Sequence, residues 1–298
     1  MLGAAGGSEA EPLLVTALRD DPNQAVRAAA ALALGQTHDE RALDPLIGAL
    51  GEDDGFLRGQ AEKALAQLAL ALPDGATRTW LALATAPGVT QERGLAVLGS
   101  LGAGGVAGLC AAATTGSEAA KAAAKGELAR LPGDQLSAGL RAALRRKDAD
   151  ASAFAAAMLG DRGDPAALPA LADAMSDPTQ PSTVQTAARS ALVRLTDSID
   201  PALESRRFES EDSQDRRRAI ELLAIKGGPP AEALALRALR DPSLLVQAAG
   251  AAALADLGSV KALPQLKLML DREDEAPILR ALQIAARRLD RLNHKDAK

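Results

Sequence analysis

The apolar positions of residues 26–50 follow the pattern of one helical hairpin. An alanine-dense run of strong helix formers at 26–34 precedes Gly35, which we expect to take the left-handed conformation that ends a helix. After a polar turn, apolar residues return at the i, i+3, i+4, i+7 spacing of one helix face, at Leu43, Leu46, Ile47 and Leu50. The pattern predicts two antiparallel helices joined by a short turn.

The same pattern recurs along most of the chain. Close copies of the first helix end at Leu34, Leu159 and Leu254, and each is followed by the same two eight-residue spacings into a second helix. Weaker copies end at Leu65, Leu192 and Leu223, so neighbouring copies lie 31 or 33 residues apart. A period of this length is typical of stacked helical pairs that bury a continuous apolar seam.

Residues 69–131 interrupt this regularity, because glycine is frequent there and helix ends are hard to place. We predict helical pairs near 76–102 and 103–131 without fixing their register. The whole chain, 1–298, is then one all-α superhelix of about eight antiparallel helix pairs. Residues 275–298 form a C-terminal capping helix and tail. The chain opens in the middle of a repeat, so we hypothesise that it is a fragment of a larger array.

Composition supports helices that pack in thin layers. Aromatic residues make up 1% of the chain and hydrophobic residues 47%, mostly Ala and Leu, and strand signals are absent. The net charge of −5 argues against nucleic-acid binding, which favours a basic excess. The sequence has neither an apolar run of membrane-spanning length nor a basic signal segment, which predicts a cytoplasmic protein without membrane insertion.

The repeat reads V-R-x-x-A-A-x-A-L-G, a polar turn, then A-L-x-P-L-x-x-A-L, with Asp-Pro five residues before the Val at 21–22 and 241–242. This pattern resembles HEAT repeats of the bacterial phycobilisome-lyase-like type. The resemblance implies first helices on a convex side and second helices on a concave recognition side. Such repeats are associated with protein-interaction scaffolds, pigment-lyase subunits and some nucleic-acid enzymes.

The resemblance also implies a polar ladder between one helix position and aspartates of the turns. That position holds Arg27, Arg58 and Arg216, with Gln185 and Gln247 as equivalents. We interpret these residues as structural. Three Asp-Pro pairs suit helix N-caps with proline at the first helical position, at Asp21, Asp164 and Asp241.

A set of basic residues on the predicted second helices of the C-terminal half is the main candidate for partner binding. It comprises Arg141, Arg145, Arg146, Lys147, Arg206, Arg207, Arg237, Arg240, Lys261 and Lys267. On one concave stripe they would attract an acidic protein. Interspersed acids favour an ordinary solvated surface instead, at Asp173, Glu204, Glu232 and Asp271. We expect Arg216, Arg217 and Arg218, on a first helix, to face solvent.

Aromatic residues are so rare that each is a candidate anchor. Trp80 and Phe208 are either partner-binding anchors or core fillers, and the size of their rings favours the core. Phe154 occupies a column that holds alanine in other copies, so we expect it to pack between layers.

The sequence contains few residues in patterns typical of catalytic or ligand-binding sites. The glycine run at 99–108 lacks the spacing and lysine of a phosphate loop and is read as helix termination. His38, His294 and Cys110 form no metal set or catalytic dyad, and Cys110 is read as a small buried residue. We therefore predict a non-catalytic protein-binding scaffold without cofactor, metal or small-molecule substrate. The alternatives are an accessory subunit of an enzyme such as a pigment lyase, and a nucleic-acid-binding solenoid.

Overall fold

The computed structural model describes residues 11–271 and 276–296, with side chains in the second range described over 278–294. These residues form eighteen α-helices and no strand, which confirms the all-α prediction. The first helices of the repeats are α2 (Gln24–Gly35), α4 (Gly55–Ala71), α6 (Gly88–Ser100), α8 (Glu118–Arg130), α10 (Ala149–Arg162), α12 (Ser182–Arg194), α14 (Ser213–Lys226), α16 (Leu244–Asp256) and α18 (Ala276–Asp296).

The second helices alternate with them. They are α1 (Glu11–Asp20), α3 (Leu43–Leu50), α5 (Gly75–Leu83), α7 (Val106–Thr115), α9 (Gly133–Ala143), α11 (Leu168–Ser176), α13 (Pro201–Arg207), α15 (Pro229–Ala238) and α17 (Leu263–Leu270). Within the described residues, α2 to α17 make eight pairs, as the period predicted, with α1 and α18 at the two ends.

The chain divides into two compact units. Unit 1 comprises residues up to 159 with 180–184, and unit 2 comprises 160–179 with 185 onward. In unit 1, α2, α4, α6 and α8 pack on one another in order, and so do α1, α3, α5, α7 and α9. In unit 2, α14, α16 and α18 pack in order, and α15 lies against α13, α14 and α16. The single domain expected from the sequence stays a prediction.

One leucine per first helix marks the repeat register, and each is at most 1% exposed. Leu98 and Leu128 supply the two repeats that were missing from the sequence pattern. The full column is spaced by 30 to 33 residues and comprises Leu34, Leu65, Leu98, Leu128, Leu159, Leu192, Leu223 and Leu254. Eight residues after Leu34, Leu159 and Leu254, the chain reaches a buried alanine, at Ala42, Ala167 and Ala262. Each of these alanines is the last residue of a 3-10 turn that precedes a second helix.

We predicted that Gly35 ends its helix in a left-handed conformation, and this was wrong. Gly35 is the last residue of α2 but has no positive φ, and a Cβ there would stand 2.7 Å from the Cα of Ala64 on α4. The left-handed residue is His38, with φ 55°. Gly160 is placed in the same way, against Ala191. These glycines let neighbouring first helices approach closely, which a side chain would prevent.

The predicted N-caps were right at one position of three. Asp164 caps the turn before α11 by accepting a hydrogen bond from the Ala166 amide at 2.9 Å. Asp21 and Asp241 instead accept from the amides two residues later, at 2.8 Å each, and thereby form the turn before the helix. The caps are the following Asn23 and Ser243, because the proline lies in the turn and not in the first helical turn.

Helix α7 has no exposed face along most of its length. Every residue from 106 to 113 is buried beneath α5, α6, α8 and α9. A Cβ at Gly105, Gly108 or Gly139 would overlap with a neighbouring residue. Most of the glycine run therefore permits close packing, and only Gly102, with φ 57°, has the left-handed conformation expected from helix termination. In the irregular segment the surface of α7 is therefore closed over residues 106–113.

Candidate functional site

The ladder position binds the turn that precedes its own helix. Arg27, Arg216 and Gln247 each donate to the carbonyl six residues earlier, at 2.7–2.9 Å. Arg58 makes the same bond at 3.4 Å, and Gln185 reaches a carbonyl eight residues earlier at 2.9 Å. Because these contacts hold turns in place, the structural interpretation of this column is confirmed.

The ladder also reaches the next repeat through turn aspartates. Arg216 binds Asp241 through two hydrogen bonds of 2.8 and 2.9 Å, and Arg27 lies 3.9 Å from Asp54. Burial acts to raise the pKa of Asp241, but hydrogen bonds from Arg216 and from the Ser243 amide outweigh it, so the pKa is lowered.

The expectation that Arg216, Arg217 and Arg218 face solvent was wrong. Arg217 is 7% exposed, and together with Arg218 it binds Asp173 of α11 at 2.7–3.0 Å. Arg217 also donates to Glu221 at 2.9 Å. The physical reason is that α11 packs on α14 and supplies the carboxylate that these arginines neutralise. This set is a structural ion-pair network.

Glu221 lies at the edge of a cavity of about 200 Å³ between α12, α14 and α16. Burial raises the pKa of Glu221 to about 7, against the opposing effect of Arg217. Four of the ten residues that line the cavity are alanines, and each of its charged side chains already has a partner. Glu221 accepts from Arg217 and Ser176, and Arg189 pairs with Asp256 at 2.7 Å.

We predicted that the basic residues near α9 all lie on a second helix, and this was wrong. Arg141 is half-buried on α9, whereas Arg145, Arg146 and Lys147 lie in the turn after the helix ends at Ala143. Arg146 forms an ion pair with Asp74. The helix ends earlier than the charge pattern suggested, so Arg145, Arg146 and Lys147 lie in a turn and not on a second helix.

Four of the predicted residues lie on or directly after two adjacent helices of unit 2. Arg206 and Arg207 end α13, Arg237 lies on α15, and Arg240 follows it in the next turn. We call this group the arginine face. Arg206 and Arg240 are exposed and pair with no acid among residues 11–271 and 276–296.

The other two arginines of this face are held by acids. Arg237 pairs with Glu209 at 2.8 Å and lies over the Phe208 ring, 5.0 Å from its centre. Arg207 donates to Glu204 at 2.9 Å. Glu204 is 1% exposed, and its second carboxylate oxygen has no hydrogen-bond partner among the described residues. Burial raises the pKa of Glu204, against the opposing effect of Arg207.

The two predicted lysines lie at α17. Lys261 is exposed in the 3-10 turn before the helix, and Lys267 pairs with Asp290 of α18 at 3.1 Å. The continuous stripe that was to join them with the arginine face and the α9 group stays a prediction.

Trp80 and Phe208 are core residues, not surface anchors. Trp80 is 1% exposed and its indole donates to Thr115 at 3.1 Å, and Phe208 is buried too. Phe154 is half-buried. The exposed aromatic is Phe56, with 57% of its surface accessible at the start of α4. Its signal in the sequence is the cap Asp54, which places Phe56 in the first helical turn, at the repeat position of the exposed Ala25.

The remaining candidates give no reactive group. Cys110 is buried in α7, as expected, and burial raises its pKa to about 12. No group of three or more His, Cys, Asp or Glu side chains among the described residues is placed to hold a metal ion. Across residues 11–271 and 276–296, no helix combines the length and apolar character that crossing a membrane requires. The cytoplasmic location stays a prediction.

Comparison with known protein families identifies the repeat. A family described as HEAT repeats matches residues 1–66 and 201–287. No curated protein sequence matches the chain. Among solved structures, the chain is similar to an engineered protein at 18% identity, over 94% of this chain and 88% of that one, with a TM-score of 0.47.

Two further solved structures show weaker likeness. Human deoxyhypusine hydroxylase in complex with glycerol is 19% identical over 76% of this chain and 87% of that one, with a TM-score of 0.26. The karyopherin Kap121p, bound to the extreme C-terminus of the protein phosphatase Cdc14p, is 13% identical over 93% of this chain and 37% of that one, with a TM-score of 0.43. At this similarity none of the three structures bears on function.

Proposed function

Because the chain belongs to the HEAT-repeat family, we propose that it is a non-catalytic scaffold whose arginine face binds an acidic segment of a partner protein. The observation that carries the proposal is the pair Arg206 and Arg240. Both are exposed on directly packed elements, and neither pairs with an acid among the described residues. A guanidinium fork binds a carboxylate through two parallel hydrogen bonds, so such arginines suit an acidic partner.

Helix α14, the neighbouring first helix, carries charged side chains that stabilise the fold. Each charged side chain of α14 bonds to another group of unit 2, from Asp215 with Arg218 to Lys226 with the Thr196 carbonyl. On α13 the acid Glu204 pairs with Arg207, and on α15 the acid Glu232 accepts from Ser259, so neither of them neutralises Arg206 or Arg240. An unneutralised positive surface raises the rate at which acidic partners associate.

Phe208 adds rigidity to the arginine face. Its ring is buried and lies beneath the Arg237 guanidinium, and this contact limits the conformations of an otherwise flexible side chain. A side chain that is already ordered loses less entropy when a partner binds.

Selection from a displayed peptide library tests the proposal. Wild-type protein should enrich peptides rich in Asp and Glu. The double variant Arg206→Ala, Arg240→Ala should bind the enriched peptides at least about tenfold more weakly, which corresponds to about 1.4 kcal/mol. The control Arg280→Ala, Arg287→Ala removes the same charge from exposed positions of α18 and should bind as wild type does.

Three results would overturn the proposal. The first is equal loss of binding in both double variants, and the second is enrichment of peptides without acidic residues. The third is a DNA or RNA complex of the wild-type protein that forms at physiological salt and weakens steeply as salt rises, since that dependence marks phosphate contacts.

A further inference from the structure

Glu204 lies at a repeat position that is hydrophobic elsewhere. The position is the one twelve residues after the register leucine of each first helix. In six other repeats it holds a fully buried hydrophobic residue, at Leu46, Cys110, Leu140, Leu171, Ala235 and Leu266. Glu204 holds it in the repeat that begins with α12, and it is 1% exposed. A carboxyl group therefore takes the place of a core side chain in α13.

The fold only half satisfies this carboxyl group. Arg207 donates to its Oε1 at 2.9 Å, whereas its Oε2 has no hydrogen-bond partner among the described residues. A buried polar atom without a partner is costly, and a hydrophobic side chain at this position would avoid the cost. Because sequences depart from packing rules chiefly at functional sites, Glu204 points to a role beyond packing.

The surroundings of Glu204 favour its protonated form. Burial raises the pKa of Glu204, and the neighbouring charges of Asp200 and Asp215 act in the same direction, against the opposing effect of Arg207. Asp200 caps α13, and Asp215 of α14 pairs with Arg218 at 2.8 Å. Glu204 therefore takes up a proton at a higher pH than an exposed glutamate does.

Helix α15, which also packs on α13, supplies no base to Glu204. Its acid Glu232 accepts a hydrogen bond from Ser259 at 2.5 Å, and its base Arg237 pairs with Glu209 at 2.8 Å. Among the described residues, the charge of Glu204 is thus balanced by Arg207 of its own helix.

Arg207 connects Glu204 with the arginine face. Its side chain is 38% exposed, so one side of the guanidinium meets solvent while the other donates to the buried carboxyl group. While Glu204 is ionised, the pair is neutral and Arg207 adds no net charge to the face. Once Glu204 is protonated, the charge of Arg207 is unbalanced, and the face presents a third free cation beside Arg206 and Arg240.

We propose that Glu204 is a proton-binding switch beneath the arginine face, and that its protonation frees Arg207 and strengthens the binding of an acidic partner segment. This role rests on the function proposed above for the arginine face. Its direction is fixed by the charges: affinity for the acidic segment rises as pH falls through the titration of Glu204, and it declines as pH rises.

Fluorescence anisotropy with a labelled peptide of alternating Glu and Ser residues tests this switch, between about pH 8 and about pH 5.5. Glu204→Gln keeps the shape of the protonated carboxyl group and cannot ionise. At about pH 8 it should bind the peptide at least about threefold more tightly than wild-type protein does. The ratio of the two affinities should fall as pH falls, and it is unaffected by titration of the peptide, which is the same in both measurements.

Two controls separate the switch from net charge and from changes in folding. Asp197→Asn removes one charge from an exposed position before α13 that has no ion pair among the described residues, and it should bind as wild type does, because water screens that charge. Glu204→Leu restores the hydrophobic residue of the repeat. It should bind as tightly as Glu204→Gln and raise the melting temperature measured by circular dichroism.

A double-mutant cycle tests the route through Arg207. In an Arg207→Ala background, Glu204→Gln should lose its gain in affinity, because no guanidinium remains to be freed. A gain that persists in this background would overturn the role of Arg207.

The remaining outcomes distinguish the switch from the function on which it rests. Equal affinity of wild-type protein and Glu204→Gln across the pH range would overturn the switch and leave the arginine face in place. An equal gain in Asp197→Asn would also overturn it, since any lost negative charge would then have the same effect. A peptide that binds neither wild-type protein nor Glu204→Gln would overturn the proposed function, and the switch with it.

Discussion

Unit 2 carries two groups of arginines that differ in ion pairing and in exposure to solvent. Arg216, Arg217 and Arg218 on α14 are all bonded to acids, and Arg217 is buried. Arg206 and Arg240, at the ends of α13 and α15, are exposed and unpaired among the described residues. In unit 2 an arginine is bonded within the fold where a neighbouring helix supplies a carboxylate, and the proposed binding role rests on the positions where none does.

The largest expected effect comes from the structural group. Arg217→Ala should destabilise the protein by about 3–5 kcal/mol, because it leaves Glu221 buried without its main partner. Urea denaturation monitored by circular dichroism measures this change, with Arg287→Ala as the exposed control. A loss as small as that of the control would remove the distinction between the two groups.

A second prediction concerns the acid that Arg217 neutralises. The folded-state pKa of Glu221, about 7, lies above the unfolded value, so the folded protein binds more protons between them. The contribution of this group is therefore most favourable at acidic pH and is lost as pH rises through about 7. The loss should amount to roughly 2–3 kcal/mol at most.

Unfolding free energies measured from about pH 5 to pH 8 check this dependence. Glu221→Gln should flatten the decline, whereas the exposed control Glu92→Gln should keep the wild-type profile. Identical profiles for all three proteins would show that Glu221 titrates in its ordinary range.

The smallest expected effect comes from the arginine face. Arg206→Ala, Arg240→Ala should change the unfolding free energy by less than about 0.5 kcal/mol, as expected for exposed positions away from buried contacts. A larger loss in the same denaturation experiment would mean that these residues stabilise the fold, and would move them into the structural group.

Periodicity alone was enough to predict the architecture. The helical class and the eight pairs follow from residues such as Leu34, whose spacing repeats, whereas the ladder at Arg27 was implied by the family resemblance. The register of the irregular segment was missed although Leu98-Gly99 repeats the dipeptide Leu34-Gly35. Glycine there was read as a helix end, because a sequence does not distinguish a glycine that ends a helix from one that allows close packing.

The candidate site was predicted less completely, because ion pairing depends on contacts distant in sequence. Asp173, which neutralises Arg217 and Arg218, comes from another repeat, and its closeness depends on how α11 packs on α14. Trp80 and Phe208 could not be assigned to core or surface from their rarity alone.

The enclosure of α7 has a mechanical consequence. A stack of helical pairs bends when successive second helices slide or tilt past each other, and this requires some freedom at their surfaces. Between α5 and α9 that freedom is small, because glycines bring backbones into contact and close-packed interiors resist compression. Unit 1 should therefore resist bending between α5 and α9, so that elastic deformation is concentrated in the repeats around α1 to α3.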